Sequence, residues 1–507
     1  MSHSHSSPCG SCTACCGSLT RRGLLSVSAA AAAPPAVFAA PERKLPVSPV
    51  RKTLRVQPVL IYQIFKRREQ TSWRPWGGLF TEKEVGEEKI RIQNELAALA
   101  KTEHQVEFLP LREARNVQEA AEAGKGEHDV LLLYPASGGA QILEAAAKDN
   151  PWTLVFVRHR SGPVYEWYEI VHPRFLRKTA DPWGQDNVSI NDVVVDEQAD
   201  FAMRIRALAG LKNTVGKKMV CVGGPSGWGA GGRKAPDLAR RIWKFDLVDV
   251  SYDEIGERLK KARADESRVR QAKADAAEYL SRKNTKLETR REFVENAFIV
   301  NSVFLDLMAE HQTDAMTINN CMSKIMPISE TTACLPLSLL NDAGLQAYCE
   351  SDFVVIPSGV LLNAISAKPV FLNDPTYPHH GVVTLAHCTA PRKMDGKVEE
   401  PVRILTHFES DYGAAPKVEM RKGQKLTNIV PDFDMKKYVG FKGEVVANPF
   451  MPICRSQIDV GILGSERKLV EEMRGFHWMT GYGDYLAEVG YALGKLGIGW
   501  LNTSERT

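Results

Sequence analysis

From residue 53 onward, short β-branched runs alternate with stretches whose apolar residues recur at helical spacing. "LRVQPVLIY" (54–62) predicts a strand, and "TEKEVGEEKIRIQNELAALAKT" (81–102) predicts an amphipathic helix opened by Thr81 as its cap. "QVEFLPL", "HDVLLLY" and "WTLVFVR" predict further strands, with "GGAQILEAAAKD" a helix between the last two. Alternation of this kind builds a parallel sheet, because each parallel pair needs a long crossover that a helix supplies.

A second α/β set begins near residue 190. "NDVVVD" leads to a helix over 196–210, "KKMVCVGG" and "DLVDVS" are strands around the helix "KAPDLARRIWKF", and long helices cover 252–312. "AMTINNC" (315–321) and "LQAYC" read as strands, and "SDFVVIPSGVLLNAISA" as a helix with Ser351 in the capping position. After residue 369 come "PVFLND", "VVTLAHC", "VRILTHFES", "PKVEMRKG", "GFKGEVVANP" and "SQIDVGILG", strands with few helices between them. The helix "YGDYLAEVGYALGKLG" closes the series. A chain of 507 residues is too long for one core. These changes of pattern divide it into α/β units at 50–190 and 191–368 and a β-rich unit at 369–507.

Composition alters this picture little. Charged residues make up 25% and apolar ones 44%, and the net charge of +4 is spread among interspersed signs. No field of that size draws a protein strongly to nucleic acid or to a membrane surface. The basic run 258–293 alternates signs at helical spacing and reads as the solvated face of long helices.

The N-terminus is a separate object. Arg21-Arg22 precede an Ala-rich run and small residues near Ala39-Ala40, so residues 1–40 resemble a twin-arginine export signal. Pro34-Pro35 interrupt the run, which makes it a poor membrane span. The other reading is a disordered Ala/Ser tail. Twin-arginine export carries folded proteins, which suits one that takes up its cofactor before leaving the cytoplasm. Cys9, Cys12, Cys15 and Cys16 have a spacing that could hold zinc, but cleavage would discard them. Cys221, Cys321, Cys334, Cys349, Cys388 and Cys454 are dispersed in apolar segments and read as buried free thiols.

The chemistry concentrates in "GLQAYCESDFVVIPSGVLLNAISAKPVFLND" (344–374). Glu350 and Asp374 each stand just past a predicted strand. If those strands are parallel neighbours, ~4.8 Å apart, the crossover brings both acids to one sheet edge. Two close carboxylates need a cation or a shared proton. His387, His407 and His477 are candidates to complete a carboxylate–imidazole shell, which suits Mn²⁺ or Mg²⁺ better than structural zinc. Alternatively Asp374, ahead of Pro375, is a turn residue and Glu350 a surface charge near a helix start.

Through "LNDAGLQAYCESD", "AKPVFLNDP", "LAHCTAP", "THFES" and "FHWMTGYGDYLAEVG" the chain resembles the L-fucose isomerase family. It looks closest to that family's shorter isomerase-like branch, which is related more distantly to L-arabinose isomerases. "RREQTSWRPWGGLFTEKEVGEEKIRIQNELAALA" and "VGGPSGWGAGG" extend the resemblance over nearly everything past the signal. It implies two Rossmann-like α/β domains followed by a β-rich, barrel-like C-terminal domain, with the site at their junction. It implies Mn²⁺, or another divalent ion such as Mg²⁺ or Co²⁺, held by Glu350, Asp374 and His477, with the two acids as the acid/base pair. The arabinose branch uses a histidine at about the place of His387. The implied reaction is an aldose–ketose isomerisation of a deoxy sugar or pentose through an enediolate, in a trimer or hexamer. Well-known members are cytoplasmic, so an export signal sets this chain apart.

Weaker signals suggest other roles. "GWGAGG" (227–232) satisfies G-x-G-x-x-G after a strand, with Asp246 or Asp249 near the distance of a ribose-binding acid, as in an NAD-dependent oxidoreductase. Pro225-Ser226 lengthen that turn, which spoils a tight approach to a pyrophosphate. Trp73, Arg74 and Trp76 in "SWRPWGG" have the chemistry of a sugar-binding lid, or of packing between domains. Arg455 is a candidate for a substrate hydroxyl, "YPASGGAQ" (134–141) a polar turn within reach of substrate, and His379-His380 supporting or turn residues. Two lobes around a cleft would also suit an exported, non-catalytic sugar-binding protein.

Overall fold

The structure, a computed structural model, describes residues 45–103, 105–171 and 187–505. The predicted export signal and Cys9, Cys12, Cys15 and Cys16 lie outside these residues. The fold is mixed α/β: parallel sheets, and a closed antiparallel barrel of six strands.

Leu54–Ile61 lies at the centre of the first parallel sheet, with Val106–Phe108 and Arg112–Ala114 on one side. On the other side follow Val130–Pro135, Thr153–Val157 and Val193–Val195. Val193–Val195 therefore completes this sheet, where the sequence pattern had it opening the second set. The helix Glu82–Thr102 covers the sheet. Thr81 caps it, Glu84 returns the bond to the cap in a capping box, and Val85, Ile92 and Leu96 face inward.

The second parallel sheet runs Gln346–Cys349, Ala315–Ile318, Lys218–Val222, Asp246–Val250. The helices Tyr252–Ala264 and Arg291–Glu310 add Ile255, Leu259, Val300 and Phe304 to its core. In the barrel, neighbouring strands are Lys425–Val430, Trp478–Tyr482, Val370–Pro375, Val382–His387, Ser456–Leu463 and Lys437–Ala447, and the last pairs back with the first. Closure leaves no free edge in that ring.

Two expectations change at the link between sheet and barrel. The helix predicted from Ser351 begins at Ile356, because Glu350 and Ser351 adopt left-handed backbone and Asp352 turns the chain; Ser351 caps nothing. The strands bearing Glu350 and Asp374 are not parallel neighbours. Gln346–Cys349 ends the second parallel sheet, whereas Val370–Pro375 pairs antiparallel inside the barrel. The helix Ile356–Ser366 joins them; it is buried from Ile356 to Ile365, and its apolar residues are spread over its faces rather than in one stripe. It packs against Gln198–Thr214 so tightly that a Cβ on Gly210 would lie 2.3 Å from Ile365 Cγ1. The helices Cys321–Ser329 and Cys334–Asp342, the strand Lys425–Val430 and the strand Trp478–Tyr482 are elements the hydrophobic pattern did not predict. Cys221, Cys321, Cys334, Cys349 and Cys388 are buried free thiols, and Cys454 is half-buried.

Candidate metal centre

Strand register explains how the barrel half of the site assembles. In Val370–Pro375, Asn373 lies opposite Trp478 and Asp374 opposite Ala386. One step along each partner strand are His477 and His387. Antiparallel neighbours lie about 4.8 Å apart, so the register sets Asp374 across from His477, while His387 stands one residue beyond Ala386 at the end of its strand. Asp374 Oδ1 stands 3.2 Å from His477 Nε2.

Glu350 arrives from the other side, at the C-terminal end of Gln346–Cys349 in the parallel sheet. Glu350 (φ 63°) and Ser351 (φ 48°) are consecutive non-glycine residues in left-handed backbone. That conformation costs of order 1–3 kcal/mol per residue and persists only where surroundings hold it. Here they do. Ser226 N–H donates to Ser351 O (3.1 Å), Phe353 N–H donates to Ser226 O (3.0 Å), and Asp352 Oδ1 accepts from the amides of Trp228 and Val354, both at 3.1 Å. The turn places Glu350 Oε1 3.7 Å from His387 Nε2 and Oε2 3.4 Å from His477 Nε2.

Among the described residues, Glu350, His387 and His477 form the one group of three or more whose ligand atoms lie close enough to share a metal, within 4.8 Å of one another. Asp374 flanks the group. The imidazoles are buried, while the Glu350 and Asp374 side chains are 32% and 30% exposed, so the site opens on its carboxylate side. Two buried atoms in it, Asp374 Oδ1 and His477 Nε2, stand 3.2 Å apart yet make no well-formed hydrogen bond to each other or to any other group. Buried polar atoms are rarely left so unless a ligand or ion completes them. The donor set of carboxylate oxygens and imidazole nitrogens fits a hard or borderline divalent cation.

The electrostatics agree with that fit. Burial opposes a charge on His477, but its hydrogen bond to Asp352, the nearby Glu350 and the charge of Asp374 outweigh burial and push its pKa up to about 10. Burial likewise works against Glu350, yet His387 and His477 hold its carboxyl well below the usual range. Burial pushes Asp374 upward, with the imidazoles opposing. Three carboxylates meet at one imidazole, and the negative charge that favours a proton on His477 equally favours a metal cation in its place.

Asp352, which the sequence reading passed over, binds His477 Nδ1 through Oδ2 at 2.7 Å. A carboxylate on the far nitrogen orients an imidazole and raises its basicity as a ligand. The glycine-rich turn serves the same loop. Gly227 and Gly232 press together, so that a Cβ on Gly227 would meet Gly232 O at 2.1 Å, and the turn's backbone docks on residues 351–353. It also seats Trp228, which stacks on Phe476 with ring centroids 4.1 Å apart. Neither ring was read from the sequence as functional; a Trp inside a glycine run and a Phe beside His477 were the available signals.

The other predicted residues are not ligands of this group. Trp73 and Arg74 line a cavity of about 790 Å³ with Gln63, Lys66, Arg68 and Arg115. Trp76 is 90% exposed. Arg455 binds Thr406 O (2.7 Å) and Oγ1 (3.1 Å), beside His407. Burial, then His387 and Arg455, depress His407 to about 4, so it stands near the group as a neutral ring. His379 and His380 bond each other in an exposed turn, and the turn at 134–141 is engaged with Gln63, Glu166 and Trp167. No protein-family model and no curated protein matches the chain.

Proposed function

We propose that this chain is a metal-dependent ketol-isomerase of the L-fucose isomerase-like type, interconverting an aldose and a ketose of the deoxy-sugar or pentose class. One observation carries the reading: from one sheet Glu350 approaches His387 and His477, from another Asp374 approaches His477, and the buried Asp374 Oδ1 and His477 Nε2 make no well-formed hydrogen bond. Mn²⁺ or a similar ion held there would polarise both sugar oxygens and acidify the carbon-bound proton. In this reading the two partly exposed carboxylates would take that proton and return it to the adjacent carbon through an enediolate. The buried imidazoles keep water from the far side of the site. In the same reading the parallel sheets are Rossmann-like domains, residues 1–40 direct export, and the protein works as a homo-oligomer.

The glycine-rich turn supports this reading over a nucleotide-dependent one, since its backbone contacts are taken up by the Glu350 loop. The test is metal analysis of purified protein coupled to a screen of aldoses for ketose formation. Glu350→Gln and Asp374→Asn are each expected to abolish turnover with an unchanged circular dichroism spectrum. Full activity in either variant overturns the assignment.

A further inference from the structure

Beside His477 is an aromatic pair that the proton transfer does not use. Trp228 and Phe476 lie nearly parallel, 12° apart with centroids at 4.1 Å. Each presents itself edge-on to His477, at 5.4 Å and 81° for Trp228 and at 4.9 Å and 89° for Phe476. They are 43% and 39% exposed, whereas the adjoining Trp478 is buried in the barrel core. Single exposed rings are ordinary, but two stacked rings exposed together at the imidazole that both acids approach form a local apolar patch of the kind ligands cover.

We propose that Trp228 and Phe476 form a stacking platform that receives the C–H face of a sugar and holds its oxygens toward Glu350 and Asp374. The proposal rests on the isomerase reading for its substrate class and adds the residues that would position that substrate. The negative π-face of an aromatic ring matches the weakly positive C–H bonds of a sugar, while the hydroxyls turn to the polar groups. The platform is also in register with the metal centre. Asp352 takes the Trp228 amide on Oδ1 at 3.1 Å and His477 Nδ1 on Oδ2 at 2.7 Å, so one carboxylate sets both the stacking ring and the imidazole. Because that contact uses the Trp228 backbone, the indole can be replaced without removing it. Binding away from the reacting carbons holds the substrate in a reactive pose.

Titration calorimetry tests the platform directly. Mn²⁺ is titrated first, then L-arabinose, D-arabinose, L-fucose and L-rhamnose, each into protein with and without Mn²⁺. Trp228→Ala is expected to weaken sugar binding by about tenfold or more, and in turnover to raise KM more than it lowers kcat. Its Mn²⁺ affinity should stay within about twofold of the parent's, because no metal-facing atom changes. Trp228→Phe and Trp228→Tyr should restore most of the sugar affinity, and Phe476→Leu, which keeps bulk without a π-face, should lower it. Unchanged sugar binding in Trp228→Ala overturns the platform. So does a parallel loss of Mn²⁺ affinity, which would make the ring structural, or a parent protein that binds none of the four sugars. A parent protein that binds sugar but no Mn²⁺ overturns the isomerase reading instead, and the comparison of Trp228→Ala with it still judges the platform.

Discussion

At the scale of single residues, the site depends on groups held where they would not rest alone. Glu350 and Ser351 occupy left-handed backbone without being glycine, and the bonds of Ser226, Trp228 and Phe353 keep them there. Asp352 is the centre of that support. Asp352→Asn keeps an acceptor for the Trp228 and Val354 amides but replaces the anion behind His477 Nδ1. Such outer partners typically change metal affinity by about 10–100-fold, and a loss of that size is expected in Mn²⁺ titrations of Asp352→Asn. An unchanged affinity would show that His477 needs no anion to orient it. Glu350, Asp374 and His387 could be picked out in the sequence because acids and imidazoles at strand ends are conspicuous. Asp352, Trp228 and Phe476 could not, since their roles arise from contacts between segments more than a hundred residues apart.

At the scale of elements, local pattern and local chemistry agree most closely where an amphipathic stripe faces a single sheet. The helix Glu82–Thr102 begins at its predicted cap and buries the stripe its spacing implies. One inward position, Glu88, breaks the apolar stripe. It is fully buried, paired with Arg158 and Arg91, and accepts a hydrogen bond from Tyr165 Oη at 2.7 Å. Arg158 also pairs with Glu95 at 2.9 Å, so this ion network ties the helix to the strand end at 158. Removing one partner of a buried pair leaves an uncompensated charge, so Glu88→Ala is expected to lower stability by about 3 kcal/mol in urea unfolding. A midpoint equal to the parent's would mean that Glu95 alone satisfies Arg158. The helix Ile356–Ser366 shows the opposite case. It has no single apolar stripe, so periodicity could place neither its start nor its face, and only the turn at 350–352 defines where it begins.

At the scale of the whole molecule, the candidate site lies where a parallel sheet meets a closed barrel. Among the described residues no helix is long and apolar enough to cross a membrane. A cation bound only by the assembled site should stabilise the fold by mass action, by about 2.7 kcal/mol at a hundredfold excess over Kd. Thermal unfolding is therefore expected to move upward with Mn²⁺ in the parent protein and to move back when a chelator is added. In Glu350→Gln the same additions should move it little. An equal rise in both proteins would place the cation elsewhere.

The amino-acid sequence alone determined most of the elements, the change from α/β alternation to a β-rich last third, and the acids and imidazoles available for chemistry. These follow from periodicities of two and of about 3.6 residues, which each segment carries by itself. Only the tertiary structure decided which strands pair. Backbone N–H and C=O groups are alike at nearly every residue, so a strand's own sequence does not name its neighbour. The partner, and whether the pair runs parallel or antiparallel, is set by which faces are buried together around the helix Ile356–Ser366. That choice put Glu350 and Asp374 in different sheets, set Asp374 against His477 across a strand pair, and left a left-handed turn to carry Glu350 across to His477 and His387.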